Sequence, residues 1–161
     1  MATTNSSDVQ VILTLTQGSA NAVAEDSYAI DPFQRNAGFR LKGYDISFDP
    51  LGFIDVAADA WIDLQLYAAT SAVASALYAA GSNNMIDRFV MASMLTTSGV
   101  GIVIPRQSVD FAVPYLIGAE YLGAVVDSTG FTAVTIARVV LRGDAVTLTD
   151  AERAASRARF V

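Results

Sequence analysis

Residues 8–17 read DVQVILTLTQ, and this stretch decides the fold class. Val9, Val11, Leu13 and Leu15 recur at every second position, with Gln10, Thr14 and Thr16 falling between them. Successive side chains of an extended chain point to opposite faces, so a period of two marks a strand with one face on a core. The β-branched content points the same way.

The pattern repeats downstream. Residues 38–48 (GFRLKGYDISF) place Phe39, Leu41, Tyr44, Ile46 and Phe48 at apolar positions, and the parity switches at Gly43. That switch predicts a bulge. Asp49-Pro50-Leu51-Gly52 reads as a turn. In residues 57–69, Ala60, Ile62, Leu64 and Leu66 point one way and Trp61, Asp63, Gln65 and Tyr67 the other. Residues 85–95 and 100–104 read as further strands, parted by Thr96-Thr97-Ser98-Gly99. Residues 108–117 hold Pro114, which favours an edge strand or a bulge. Residues 121–126 and 131–141 are expected to pair as a hairpin around Asp127-Ser128-Thr129-Gly130. Two segments lack the alternation. Residues 18–37 are polar and carry Pro32, so they read as a long loop or arm, and residues 70–84 read as a short helix or a crossover loop.

The chain end changes character. Thr149-Asp150-Ala151-Glu152 has the capping-box spacing, in which the Thr hydroxyl takes the amide of residue 152 and Glu152 reaches back. Strong helix formers follow through Arg159. The reading is therefore one β domain over residues 1–161, with a C-terminal helix and tail in residues 149–161. Its class is all-β: an antiparallel β-sandwich, a single jelly roll of about eight strands.

Composition bounds the function. Apolar residues make up 53% of the chain and charged residues only 16%, against about 25% charged in typical domains. Polar surface is thin, so some apolar surface is expected to be covered by other copies. Net charge is −6. Residues 1–137 hold 5 basic and 13 acidic residues, while residues 138–161 hold 5 Arg and 3 acids. An acidic body does not match the basic stripe of a nucleic-acid binder. The N-terminus has neither a basic nor an apolar region, so no signal peptide is expected. The uncharged run 64–86 is long enough to span a bilayer but is rich in Ala, Ser and Asn, so no transmembrane segment is expected.

Histidine and cysteine are absent. That removes the commonest general base, thiol catalysis, the Ser-His-Asp triad and the usual zinc ligands. Gly99-Val100-Gly101 opens like a dinucleotide fingerprint but lacks the third glycine and the helix. Asp59 and Asp63 are the best carboxylate pair, either a solvated acidic face or a calcium site. Asp110 with Glu120 is a weaker pair. No catalytic residue, cofactor site or metal site is assigned, no cofactor is expected, and the chain is not expected to be an enzyme.

Four residues are assigned to a subunit interface. Arg153 and Arg157 lie four apart and share a face of the terminal helix, with Arg159 beyond them. They either complement the helix macrodipole or clamp an acidic patch on a neighbouring copy. Trp61 belongs to core or interface.

The strand count, the polar segment 18–37 and the hairpin-rich second half resemble viral or phage single jelly-roll coat proteins. Gly101-Ile102-Val103-Ile104-Pro105, followed by residues 108–115 (SVDFAVPY), is similar to such subunits in style. The resemblance implies a capsid or coat subunit that assembles in many copies, located in the virion after assembly in the host cytoplasm, with other virion proteins as further partners. Such subunits often carry a basic N-terminal arm for the genome. Residues 1–34 here contain no Lys or Arg, so direct nucleic-acid binding through the N-terminus is not expected. The alternative from the residues alone is a ligand-binding β-sandwich for carbohydrate or calcium, followed by a carboxylate hydrolase.

Overall fold

Alternating apolar residues on both sides of each turn leave the chain two layers to build, and the chain builds both. The computed structural model describes residues 3–30, 36–49, 59–70, 76–79, 81–92, 94–96, 99–101 and 107–160. In chain order the elements are β1 (Thr3–Thr16), β2 (Ala24–Ala29), β3 (Ala37–Phe48), β4 (Trp61–Ala69), β5 (Met85–Ala92), β6 (Met94–Thr96), β7 (Gly99–Gly101), β8 (Gln107–Ile117), β9 (Tyr121–Thr129), β10 (Ile136–Thr147) and α1 (Asp150–Arg159). The eight longer strands form two four-stranded sheets. The first has the order β1-β10-β3-β8, the second β2-β9-β4-β5, and β6 and β7 form a small ribbon. All pairings are antiparallel. Early strands lie beside late ones in both sheets, the two interwound Greek keys of a jelly roll. The expected fold class is the observed one.

One core fills the space between the sheets. The first sheet supplies Leu13, Leu15, Phe39, Leu41, Ile46, Val139 and Leu141, and the second supplies Ile62, Leu64, Leu66, Leu122 and Val126. Removing each such side chain from water contributes about 1.5–3 kcal/mol, which offsets the ordering of the chain. Among the described residues, two polar links run from a strand of one layer to a strand of the other. The Tyr44 hydroxyl on β3 donates to Asp87 on β5 at 2.8 Å. On the opposite side, the Thr14 amide on β1 donates to Asp26 on β2 at 2.8 Å.

The bulge falls where the parity change placed it. Gly43 faces Arg142 and Leu41 faces Gly143, so Lys42 is the extra residue of β3. β8 is an edge strand, as Pro114 implied. Opposite the same bulge, Asp110 pairs with Gly43 and Tyr115 with Leu41, so residues 111–114 bow out of the ladder.

Three expectations need correction. The segment 18–37 is not all loop, because β2 runs through it and pairs with β9. Its sequence AEDSYA is polar because an edge strand needs little core, so it carries weak alternation. The hairpin expected for residues 121–141 does not form: β9 lies in the second sheet and β10 in the first. Turn residues report a reversal of direction, and a reversal can cross between layers about 10 Å apart. Gly130, at φ +80, takes that corner. The Asn21 side chain holds it, donating to the Phe131 carbonyl and accepting the Phe131 amide. Third, the strand read over residues 85–95 is divided between sheets, β5 lying in the second and β6 in the ribbon with β7. Of the two readings of residues 70–84, the described residues 76–79 and 81–84 fit the crossover loop, as turns and irregular chain. The turn read at residues 49–52 and most of the strand read at 100–104 lie outside the described residues.

Candidate functional site

The capping box sets α1. Glu152 N donates to Thr149 Oγ1 at 3.2 Å, and Thr149 N donates to Glu152 Oε2 at 2.9 Å. Acids stand in the first turn and Arg157 and Arg159 in the last, as the macrodipole favours. The helix docks against the end of β8. Ser156 Oγ accepts the Gly118 amide at 2.6 Å and donates to the Leu116 carbonyl. Gly118 permits the approach, since a Cβ there would lie 2.7 Å from Leu148 Cδ1 and 3.2 Å from Ser156 Cβ. Phe160, just past the helix, is buried in the main core.

An open groove of about 770 Å³ runs between the outward bow of β8 and α1. Phe111, Tyr115, Leu116 and Ala155 make it largely apolar, and Glu152 and Arg159 supply opposite charges to it. Phe111 and Tyr115 meet edge to face at 4.9 Å, and the Arg159 guanidinium lies 5.1 Å from the Tyr115 ring centre. Ala112, Val113 and Pro114 on the bow are exposed, and Val113 at 78% is the most exposed large apolar side chain among the described residues.

The outer face of the first sheet is polar and charged. Lys42, raised on its bulge, bonds Asp8 and Asp144, each at 2.9 Å. The hydrogen bond to Asp144 raises the Lys42 pKa, and the bond from Lys42 lowers that of Asp8. Arg142 spans Asp45 at 3.2 Å and Asp110 at 2.7 Å, and the Asp110 bond is the main cause of its raised pKa. Arg138 stands exposed on the same face, across from Thr14 and Ser47.

The second sheet has buried polar groups on its outer side. Asp63 is 2% exposed and takes a forked contact from Arg88, Nε at 3.1 Å and Nη2 at 2.5 Å. Gln65 grips the Tyr78 backbone twice, at 2.8 and 3.2 Å. Tyr67 donates to Glu25 at 3.0 Å, and its ring packs on Tyr78. Burial first, then Glu25, pushes the Tyr67 pKa up, and burial first, then Asp87, does the same for Tyr44.

The residues assigned to an interface separate in the structure. Arg157 bonds Glu120 of its own chain at 3.0 Å. Arg159 lies on the β8 groove, and Arg153 makes no ion pair among the described residues. Trp61 opens β4, half-buried, beside Ala92 and Thr129, far along the fold from the helix. Asp63 is committed to Arg88, and Asp110 and Glu120 each bind a different arginine. Among the described residues no group of three or more acidic, His or Cys side chains is arranged to hold a metal. No helix among them is long and apolar enough to cross a membrane. The groove was absent from the sequence reading. Its only signal was the apolar run Phe111-Ala112-Val113-Pro114-Tyr115 in a segment marked as an edge by its proline.

No protein-family model matches the sequence, and no curated protein matches it as a relative. Solved structures do resemble the fold. One is of Desmodium yellow mottle tymovirus, at 10% identity, covering 91% of this chain and 93% of that one with a TM-score of 0.36. Another is a decameric BFDV capsid protein, at 10% identity, 88% and 96% coverage and a TM-score of 0.35. A third is the infectious bursal disease virus VP2 subviral particle, at 12% identity, 91% and 38% coverage and a TM-score of 0.29. Each is a viral protein of low overall similarity to this chain.

Proposed function

We propose that this protein is a structural subunit that assembles in many copies into a shell, as a viral coat protein does, and that it has no enzymatic role. Jelly rolls also serve as lectins and cupins, so the fold alone does not choose. One observation carries the proposal. Each of the four edge strands exposes a large apolar side chain: Ile12 on β1, Tyr28 on β2, Val90 on β5 and Val113 on β8. Edge strands of a solitary sandwich are normally guarded by charge against pairing with other chains. Here each edge strand carries charge, at Asp8, Asp26, Asp87 and Asp110, but also bares an apolar side chain in a chain with few charges, which favours coverage by neighbouring subunits. The virion is then its location, the host cytoplasm its place of assembly, and other virion proteins its further partners. Arg153, Arg157, Arg159 and Trp61 remain proposed contact residues, Arg157 together with the half-exposed Glu120 that it bonds in its own chain.

Light scattering and electron microscopy of the purified protein across concentration and salt test this. Particles of many copies are expected. They should persist at high salt, because apolar contacts are not screened as ion pairs are over a Debye length of roughly 8 Å at physiological salt. A monodisperse monomer under every condition would overturn the proposal.

A further inference from the structure

We infer that the β8–α1 groove is a contact between two copies of this chain, in which the Val113-Pro114 bow of each subunit seats in the groove of the other. The inference rests on the assembly reading above and names its surface.

Three observations choose a second copy as the occupant. First, the projection and the cavity lie side by side on one surface. Val113 and Pro114 form the exposed rim of the bow and one wall of the hollow, and Tyr115, Leu116 and Ala155 line it further in. A surface that carries both a knob and the matching hole is self-complementary about a two-fold axis, where residue i meets j and j meets i. Second, the charges are self-complementary too. Glu152, whose Oε2 caps Thr149, and Arg159, which lies over the Tyr115 ring, stand seven residues apart on α1 and both line the groove. Two turns of helix separate them by about 10 Å. Two antiparallel copies would therefore set Arg159 of one against Glu152 of the other, which fixes register. Third, the two sides of the sandwich differ. The free edge of β1 is partly occupied within the chain, where its Thr14 amide is taken by Asp26 of β2. At the opposite edge, residues 111–114 have left the ladder to β3 and expose apolar side chains in series.

The chain has no cysteine, so introduced thiols report contacts cleanly. The test mixes a tagged Val113→Cys protein with an untagged Ala155→Cys protein under mild oxidation, beside a control mixing Val90→Cys with Ala155→Cys. Val90 is also exposed but sits on β5 of the other sheet. A covalent dimer carrying both the tagged and the untagged chain is expected from the first mixture and not from the control. In addition, Val113→Glu should lower the mass of the assembly about two-fold or more, as loss of a two-fold contact requires, with the β circular dichroism unchanged. If the wild-type protein assembles but the two mixtures cross-link equally or not at all, this inference fails and the assembly reading stands. If the wild-type protein stays monomeric, both fail.

Discussion

The two sheets share a strand count and a core, but they treat their outer faces differently. In the first, β10 alternates buried with accessible residues along most of its length, and β3 does so on either side of its bulge. The outward positions carry Lys42, Asp45 and Arg142, cross-linked in ion pairs, and the exposed Arg138. In the second, β4 is buried at every position after Trp61, and β9 is buried from Leu122 to Val126. Tyr67, Ala69 and Val125 form a separate small cluster on its outside, with Leu77 and Tyr78 packed over them. Leu77 and Tyr78, between β4 and β5, therefore lie over the outer face of that sheet. The difference shows that a central strand needs a polar outer face only if water reaches it. Where chain covers that face, polar residues survive only with partners in place, as Asp63 and Gln65 have.

Truncation on the two outer faces should separate the sheets most sharply. Tyr67→Ala removes a fully buried ring from the outside of the second sheet and should cost about 3–5 kcal/mol. Val140→Ala, on the outer face of the first sheet, should cost under about 1 kcal/mol. Urea denaturation of both variants measures this, and equal costs would mean that the second sheet is as open as the first.

The cover itself can be loosened. Gln65→Ala leaves the Tyr78 amide and carbonyl without their partner and should cost about 1–3 kcal/mol. Faster hydrogen exchange at the Tyr78 amide should accompany the loss. Unchanged exchange there would show that apolar packing alone holds the segment down.

A smaller effect is expected at the helix beside the first sheet. Thr149→Ala with Glu152→Ala should weaken α1 by about 1 kcal/mol, read as lost amide protection in residues 150–158.

The last expectation concerns alkali. Tyr44 lies between the sheets and Tyr67 under the cover of the second, and both pKa values are raised by burial. A raised folded-state pKa favours the neutral phenol in the fold. The stabilisation is fully present below the ordinary value of about 10 and is lost as pH rises through the raised one. Both tyrosines should therefore ionise only as the β signal is lost, followed by ultraviolet difference absorbance beside circular dichroism. Ionisation of either with the fold intact would show that water already reaches it.

Much of this was legible in residues 8–17, 38–48 and 149–152, where periodicity, the parity switch at Gly43 and the capping box are local. Strand pleat and helix turn act over two to four residues, so the sequence by itself determined the strands of the core, the bulge at Gly43 and the terminal helix, and narrowed the Pro114 strand to an edge or a bulge. The absence of His and Cys was equally plain. What only the tertiary structure decided was which sheet each strand joined, since the turn after Asp127 reverses the chain without saying into which layer. It also decided that polar AEDSYA becomes an edge strand, that the outside of β4 is covered, that Arg157 is taken by Glu120, and that Val113 stands beside a groove. Each of these depends on a partner ten or more residues away or on a neighbouring layer, and no local pattern encodes such a contact.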